Sequence, residues 1–453
     1  MHVSIVLYNL FLWLYKTGIR IVSPWNPKAR RWLKGRKNIL ERINALNPGK
    51  QNRYIWMHCA SLGEFEQGRP ILESIRARYP AEKIALTFFS PSGYESKKDY
   101  AGADHILYLP LDSKRNAQFV VTALQPKLVI WVKYEYWYYY LDELKRQNIP
   151  TILVSAHFRP GQPFFQWHGK LYRYMLGCFA RIFVQNEESL QLLKRIGYSE
   201  HASLSGDTRF DRVIAIAAQF QPFPLVDRFC ADHPVIVAGS TWDEDEEELD
   251  HYANTHPEIR FIIAPHEIDE PHVKDIEGLF QRTVRYSELE IMMADGRWPS
   301  ADPDVREEQN PKSSNSNPAN GQRPSAKHPR ANVLIIDNIG MLSRLYQYAT
   351  IAYLGGGFGE DGVHNVLEAA VYGRPVVYGP VIEKFVEAIE LAETGGGIVV
   401  DSALEAETVF NRLLSNREEY LHRCEAAKQY VYSKKGATEK IIQYIQENRL
   451  LTN

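Results

Sequence analysis

From residue 54 onward the chain alternates short apolar runs with amphipathic helical patterns, and this alternation constrains the fold more than any other feature. The apolar runs of the first half fall at 54–57, 84–89, 105–109, 128–132, 151–155 and 181–184. Helical periodicity fills the gaps, for example over 66–79, 114–124 and 187–196. Strands that regularly alternate with helices predict a parallel sheet covered on both faces. A second series begins after a Pro-containing stretch at 221–224, with runs at 235–238, 261–264, 333–336, 351–354, 376–378 and 398–400. A chain of 453 residues is too long for one core. The expectation is two α/β halves, residues 51–222 and 233–430, with a basic segment at 1–50 and a helix at 431–453. Ligands of open parallel sheets sit beyond the carboxyl ends of the strands, so the strand ends are where chemistry is sought, in a cleft between the halves.

The richest strand end is Gly355-Gly-Gly-Phe-Gly-Glu-Asp-Gly-Val-His-Asn-Val-Leu-Glu-Ala-Ala370, with five glycines in its first eight residues. Such a backbone can approach a ligand closely. With a helix expected to follow, carrying Val366, Leu367, Ala370 and Val371 on its apolar side, the turn is either an anion cradle or a packing turn. His364, Asn365 and Glu368 add side-chain chemistry. Glu368 is one turn from His364, but no further ligand stands at metal spacing, and a hydrogen-bonding His364 is expected instead. The P-loop pattern and the dinucleotide glycine fingerprint are both absent.

Other strand ends add to the inventory. His58-Cys-Ala-Ser-Leu-Gly-Glu64 places Ser61, Gly63 and Glu64 on the loop after the first strand, where a desolvated carboxylate can act as a general base. Glu66 fits the role of a helix-dipole acid better than Glu64 does. Cys59 beside His58 reads as a buried strand cysteine, since neighbours on a strand face opposite ways. Trp131-Val-Lys-Tyr-Glu-Tyr-Trp137 offers Lys133, Glu135 and Trp137: Lys133 either keeps Glu135 ionised, receives an anion, or pins the loop by an ion pair. Gly239-Ser240-Thr241 either caps the acid-rich helix start at 243–248 or binds phosphate. Pro265-His266 and Asp337-Asn-Ile-Gly340-Met341 close the series, whose hydroxyls, amides and exposed backbone fit a nucleotide cradle.

Net charge of −2 gives no global nucleic-acid signature, and four scattered cysteines without a C-x-x-C pair fit a reduced compartment. The charge is nonetheless lopsided: residues 1–53 hold eleven Lys or Arg against one acid, Glu41. The apolar run at 3–15 falls short of the roughly 20 residues that span a bilayer. Followed by basic residues, and flanked by Trp13 and Trp25, it suits anchoring on an anionic cytoplasmic leaflet, or else packing on another domain. Residues 299–330, rich in Pro, Ser, Asn and charge, read as a disordered insertion.

Taken in order, Leu7-Tyr-Asn-Leu10, Ala60-Ser-Leu-Gly-Glu-Phe65, Glu135-Tyr-Trp137, Gln185-Asn-Glu187, Gly206-Asp-Thr-Arg-Phe-Asp211, Gly239-Ser-Thr241, Gly340-Met341, the Gly355 loop with His364-Asn-Val-Leu-Glu368, and Gly379-Pro380 resemble the 3-deoxy-D-manno-octulosonic acid (Kdo) transferases of lipopolysaccharide synthesis. The resemblance implies a GT-B glycosyltransferase of two Rossmann-like doubly wound domains facing a cleft, with no cofactor and no metal. It further implies inverting transfer of Kdo from CMP-Kdo to the lipid A precursor at the cytoplasmic side of the inner membrane. By the same resemblance Glu64 is the expected general base and Glu135 the second acid. Ser61, Gly63 and Lys133 are placed toward the acceptor. Ser240, Thr241, Pro265, His266, Gly340, Met341, Gly355, Gly356, His364, Asn365 and Glu368 are placed toward CMP-Kdo. The chain departs from the pattern at Lys133, where an acid is common, at Pro265-His-Glu267, where Pro-Arg-His is common, and in the insertion. Rival readings are another GT-B enzyme using a UDP-sugar, transferase or epimerase, and an inactive GT-B membrane scaffold.

Overall fold

The computed structural model describes residues 2–47, 49, 51–294, 331–360 and 362–451. The expected insertion at 299–330 lies outside the described residues. The chain divides into two compact units, Met1–Arg212 with Lys434–Asn453, and Val213–Ser433.

Unit 1 contains seven parallel strands: β1 (Tyr54–Cys59), β2 (Lys83–Phe88), β3 (His105–Tyr108), β4 (Leu128–Val132), β5 (Thr151–Ala156), β6 (Arg181–Val184) and β7 (Ala202–Leu204). Their order in the sheet is β3-β2-β1-β4-β5-β6-β7. The sheet grows outward in one direction from β1 and then, after a crossover, in the other from β4, so the topological switch lies between those two strands. Alternate residues of β1 serve opposite cores: Tyr54 and Trp56 join Trp131 and Tyr140, while Ile55, Met57 and Cys59 join Phe65, Ile130 and Ile441. Such two-sided burial explains why the strand reads as a continuous apolar run.

Unit 2 repeats the plan with β8 (Val235–Thr241), β9 (Arg260–Pro265), β10 (Thr283–Arg285), β11 (Val333–Ile335), β12 (Ile351–Leu354), β13 (Val376–Tyr378) and β14 (Gly397–Val399). The order β10-β11-β9-β8-β12-β13-β14 puts the switch between β8 and β12. Two strands had no counterpart in the sequence reading, β7 and β10. Each has three residues and a single buried one, Ala202 and Val284, too little apolar content to register as a run.

The N-terminal helix runs from His2 to Val22, longer than the apolar stretch at 3–15, because Ile19, Ile21 and Val22 resume after Lys16. By length and composition alone it could cross a membrane. One face is fastened to unit 1: the Tyr8 hydroxyl donates to Asp112 (2.6 Å), Leu12 is buried, and Tyr15 packs on Trp32 and Phe89. The opposite face leaves Leu7, Leu10, Phe11, Trp13 and Leu14 exposed, and beyond the helix end Trp25 is 80% exposed.

Candidate functional site

The switch point of unit 1 gathers the two acids singled out from the sequence. Ser61 caps the helix Leu62–Arg78, its hydroxyl accepting from the Glu64 N–H at 3.5 Å. Glu64 therefore lies in the first helical turn and not on a free loop, a correction to the expectation. The cause is local: the Glu64 carboxylate turns back to accept the Ala60 N–H, one residue before the serine cap. Gly63, beside it, is exposed. Glu64 is 8% exposed, and burial, then the charge of Glu135, push its pKa up to about 7, against the lowering pull of the Ala60 N–H and Lys133.

Glu135 is held by an aromatic and histidine framework. Its Oε2 accepts from Trp137 Nε1 (2.8 Å) and lies 2.8 Å from Nε2 of the fully buried His58. Nδ1 of His58 lies 2.9 Å from Thr87 Oγ1, which accepts the Trp56 indole N–H at 2.8 Å. His58 Nδ1 also lies 3.2 Å from the Thr87 carbonyl oxygen, and the Thr87 hydroxyl donates to the Met57 carbonyl at 3.4 Å. The indole of Trp131 donates to the Glu135 carbonyl. Lys133, with φ 65°, sits over the Tyr134 ring, and its charge acts on Glu64. His58 and Trp56 share one face of β1, a period-two signal that the sequence reading used only to separate His58 from Cys59. Cys59 faces the opposite core, and burial holds its thiol well above the ordinary range.

In unit 2 the strand ends converge on the β8 and β12 switch. A Cβ at Gly355 would lie 2.3 Å from the Ser240 carbonyl oxygen, and Gly356 has φ +85°, so both positions need glycine to let the two turns meet. Ser240 has φ 55°. Thr241 does not cap the following helix; its fully buried hydroxyl donates to Glu246 (2.7 Å), and the cap falls to Trp242, whose N–H donates to Asp245.

The Gly355 loop differs from the expected anion cradle in two ways. The helix after it, Leu367–Ala370, has only four residues, too few to build a sizeable dipole, although Val366, Leu367, Ala370 and Val371 are buried as expected. The Gly356 N–H is already given to the buried Asp245 carboxylate at 2.7 Å. Burial raises the pKa of Asp245 to about 6 against its hydrogen bonds from Gly356, Trp242 and Tyr353.

His266, immediately after Pro265, stacks on both Trp242 (4.4 Å) and His364 (4.8 Å), and the Trp242 indole donates to His364 Nε2 at 3.1 Å. Asn365 Nδ2 donates to Glu368 (3.1 Å), while Asn365 Oδ1 is buried and accepts no hydrogen bond. The buried Tyr346 hydroxyl, also unsatisfied, feels the charge of Glu368 and lies where a Cβ on Gly239 would sit 2.0 Å away. Gly340 has φ +98°, and Met341 is buried at the start of the helix Leu342–Leu345. Trp242 and Tyr346 were missed from the sequence, since isolated aromatic residues carry no pattern of their own, and Asp245 was read only as part of the acid-rich helix start at 243–248. Among the described residues, Asp243, Glu246 and His272 form a group able to hold a cation. Both imidazole nitrogens of His272 already face carboxylates, Asp243 at 3.1 Å and Glu246 at 3.3 Å.

Residues 37–212 match the family model described as 3-deoxy-D-manno-octulosonic-acid transferase (kdotransferase). A bifunctional glycosyltransferase/methyltransferase of Fusobacterium nucleatum is 24% identical over 417 residues, covering 89% of this chain, which spans only 56% of that relative. The 3-deoxy-D-manno-octulosonic acid transferase of Aquifex aeolicus is 26% identical over 81% of this chain and 87% of its own. That of Haemophilus influenzae is 24% identical over 94% and 93%. Among solved structures, a UDP-GlcNAc 2-epimerase from Neisseria meningitidis bound to UDP-GlcNAc superposes with TM-score 0.56 at 15% identity, covering 87% of this chain and 100% of that one. At that identity the likeness is one of fold. The two parallel seven-stranded sheets are GT-B-like, and through the match over 37–212 and relatives aligned along most of its length the chain is similar to the Kdo transferases, which are glycosyltransferases.

Proposed function

We propose that the protein transfers Kdo from CMP-Kdo to a hydroxyl of the lipid A precursor, with inversion and without a metal, on the cytoplasmic side of the inner membrane. The observation that carries the reading is Glu64, a buried carboxyl with pKa raised to about 7 at the switch point of the unit matched by the family model. A base of that strength is balanced between holding and releasing a proton near neutral pH. Ionised Glu64 takes the proton of the acceptor hydroxyl as that oxygen attacks the anomeric carbon of Kdo. The bond from this carbon to the CMP phosphate breaks, and its electron pair leaves with the phosphate. Glu135, fixed by His58 and Trp137, is the second acid and keeps Glu64 basic by like-charge repulsion. Ser61, Gly63 and Lys133 line the acceptor side.

The donor is assigned to unit 2, with Ser240, Gly340, Gly355, Asn365 and the His266–Trp242–His364 stack around CMP, and Glu368 toward the ribose. Since the Gly356 N–H is engaged by Asp245, Ser240 and backbone other than Gly356 must receive the phosphate. The N-terminal helix lies on the membrane by its exposed face, assisted by the basic residues that follow it.

Incubation of the full chain with CMP-Kdo and lipid A precursor, beside a Glu64→Ala control, tests the reading. Turnover by the wild type alone is expected; equal turnover removes Glu64 from its role. Tighter binding of UDP than CMP would overturn the donor, and loss of turnover in EDTA would overturn metal independence.

A further inference from the structure

The docked face of the N-terminal helix reaches the loop that carries Glu135. The helix Tyr138–Arg146 begins two residues after Tyr136, and its N-cap, Trp137, offers no side-chain cap. Its first N–H groups are satisfied from elsewhere in the chain. The Tyr138 N–H donates to the Tyr8 hydroxyl (3.2 Å), and the Tyr139 and Tyr140 N–H groups donate to the two oxygens of Asp112 (2.9 and 3.1 Å). Tyr8 completes the cap by donating its own proton to Asp112 at 2.6 Å. Asp112 is 2% exposed, so these hydrogen bonds are shielded from water.

A second line of contact runs in parallel. Tyr15 and Trp32 pack on Phe89, Phe89 packs on Trp137 at 4.8 Å, and the Trp137 indole holds Glu135 Oε2. Both lines end on Trp137 and Glu135, one through the backbone of the helix start and the other through the indole ring. The same N-terminal helix thus presents one face outward and builds the seat of an acid with the other.

We propose that Tyr8, with Asp112, is a positioning residue for Glu135, so that docking of the N-terminal helix sets the geometry of the reaction as well as the attachment of the protein. The inference rests on the reading of Glu135 as one of the acids of the reaction. Removing the Tyr8 hydroxyl leaves the Tyr138 N–H without its acceptor and Asp112 without its donor. The helix start, Trp137 and Glu135 then lose a fixed register, and a misplacement approaching 1 Å at a reacting centre lowers rates by up to about a hundredfold.

The test compares full-length wild type, Tyr8→Phe, Asp112→Asn and Glu135→Gln in detergent solution, where attachment to a bilayer is not needed for turnover. Expected for Tyr8→Phe and Asp112→Asn is a kcat reduced by roughly tenfold or more, with the KM for CMP-Kdo unchanged. Cosedimentation of Tyr8→Phe with anionic vesicles should match wild type, which separates positioning from attachment. Wild-type kcat in both Tyr8→Phe and Asp112→Asn, with Glu135→Gln inactive, overturns the inference and leaves the role of Glu135 standing. Wild-type kcat in Glu135→Gln overturns that role and the inference with it. Asp112→Asn keeps the side-chain shape, so it reports on the cap if Tyr8→Phe does not fold.

Discussion

Glu64 has a folded-state pKa of about 7 against an ordinary 4.5, and that difference has a cost. The folded protein holds this proton more tightly than the unfolded chain does. Stability from neutral Glu64 is therefore fully present below about pH 4.5 and lost as pH rises through about 7. Glu64→Gln should abolish turnover yet raise stability at pH 8 by on the order of 2–3 kcal/mol, read as a higher urea midpoint that converges with wild type near pH 4.5. In the wild type, kcat should rise through about pH 7 as Glu64 ionises. Thr87→Val tests the support behind Glu135: it leaves the buried Trp56 N–H and His58 Nδ1 without Thr87 Oγ1. It should lower stability by about 1–3 kcal/mol, measurable by urea unfolding, and reduce kcat.

At the scale of elements, the two switch points use different chemistry on a shared topology. After β1 a long helix is capped by serine and a buried acid. After β12 the turn is so close to β8 that two adjacent glycines are required. Gly356→Ala would place a methyl 2.4 Å from the Gly362 carbonyl oxygen at a φ that L residues rarely adopt. CMP affinity measured by titration calorimetry should fall at least tenfold, about 1.4 kcal/mol, with unit 1 unaffected by hydrogen exchange.

Most of this layer was legible in the sequence, because β1, β4, β8 and β12 are buried on both faces and advertise themselves as apolar runs. What was not legible depended on side chains from separate elements meeting: His58 with Glu135, 77 positions apart, or Gly356 with Asp245, 111 apart. The Gly355 loop showed the limit from the other side. Its glycines fit either a close approach to a ligand or a packing turn, and in the structure they bring the loop's own backbone against β8.

Across the whole molecule, buried carboxyls outside ion pairs shape the response to pH. Burial raises Asp112 and Glu64 to about 7 and Asp245 to about 6. All three bind protons more tightly when folded, so each withdraws stability as pH rises through its folded value. Asp104 runs the other way: backbone and arginine hydrogen bonds overcome its burial and lower it to about 2, so its contribution fades only in strong acid. Differential scanning calorimetry should give a lower Tm at pH 8 than at pH 5.

The last helix, Ala437–Glu447, belongs to unit 1 and not to the unit it follows in the chain. Asp211 accepts the N–H groups of Gly436 and Thr438 at its start, and Ile441, Ile442 and Ile445 complete the core beneath β1 and β4. On the ribosome, then, the first unit to emerge is the last to be finished. Some 220 residues of unit 2, Val213–Ser433, are synthesised while the face of the sheet that also packs the helix Leu62–Arg78 lacks the cover of Ile441, Ile442 and Ile445, and that gap is what a nascent-chain chaperone would meet.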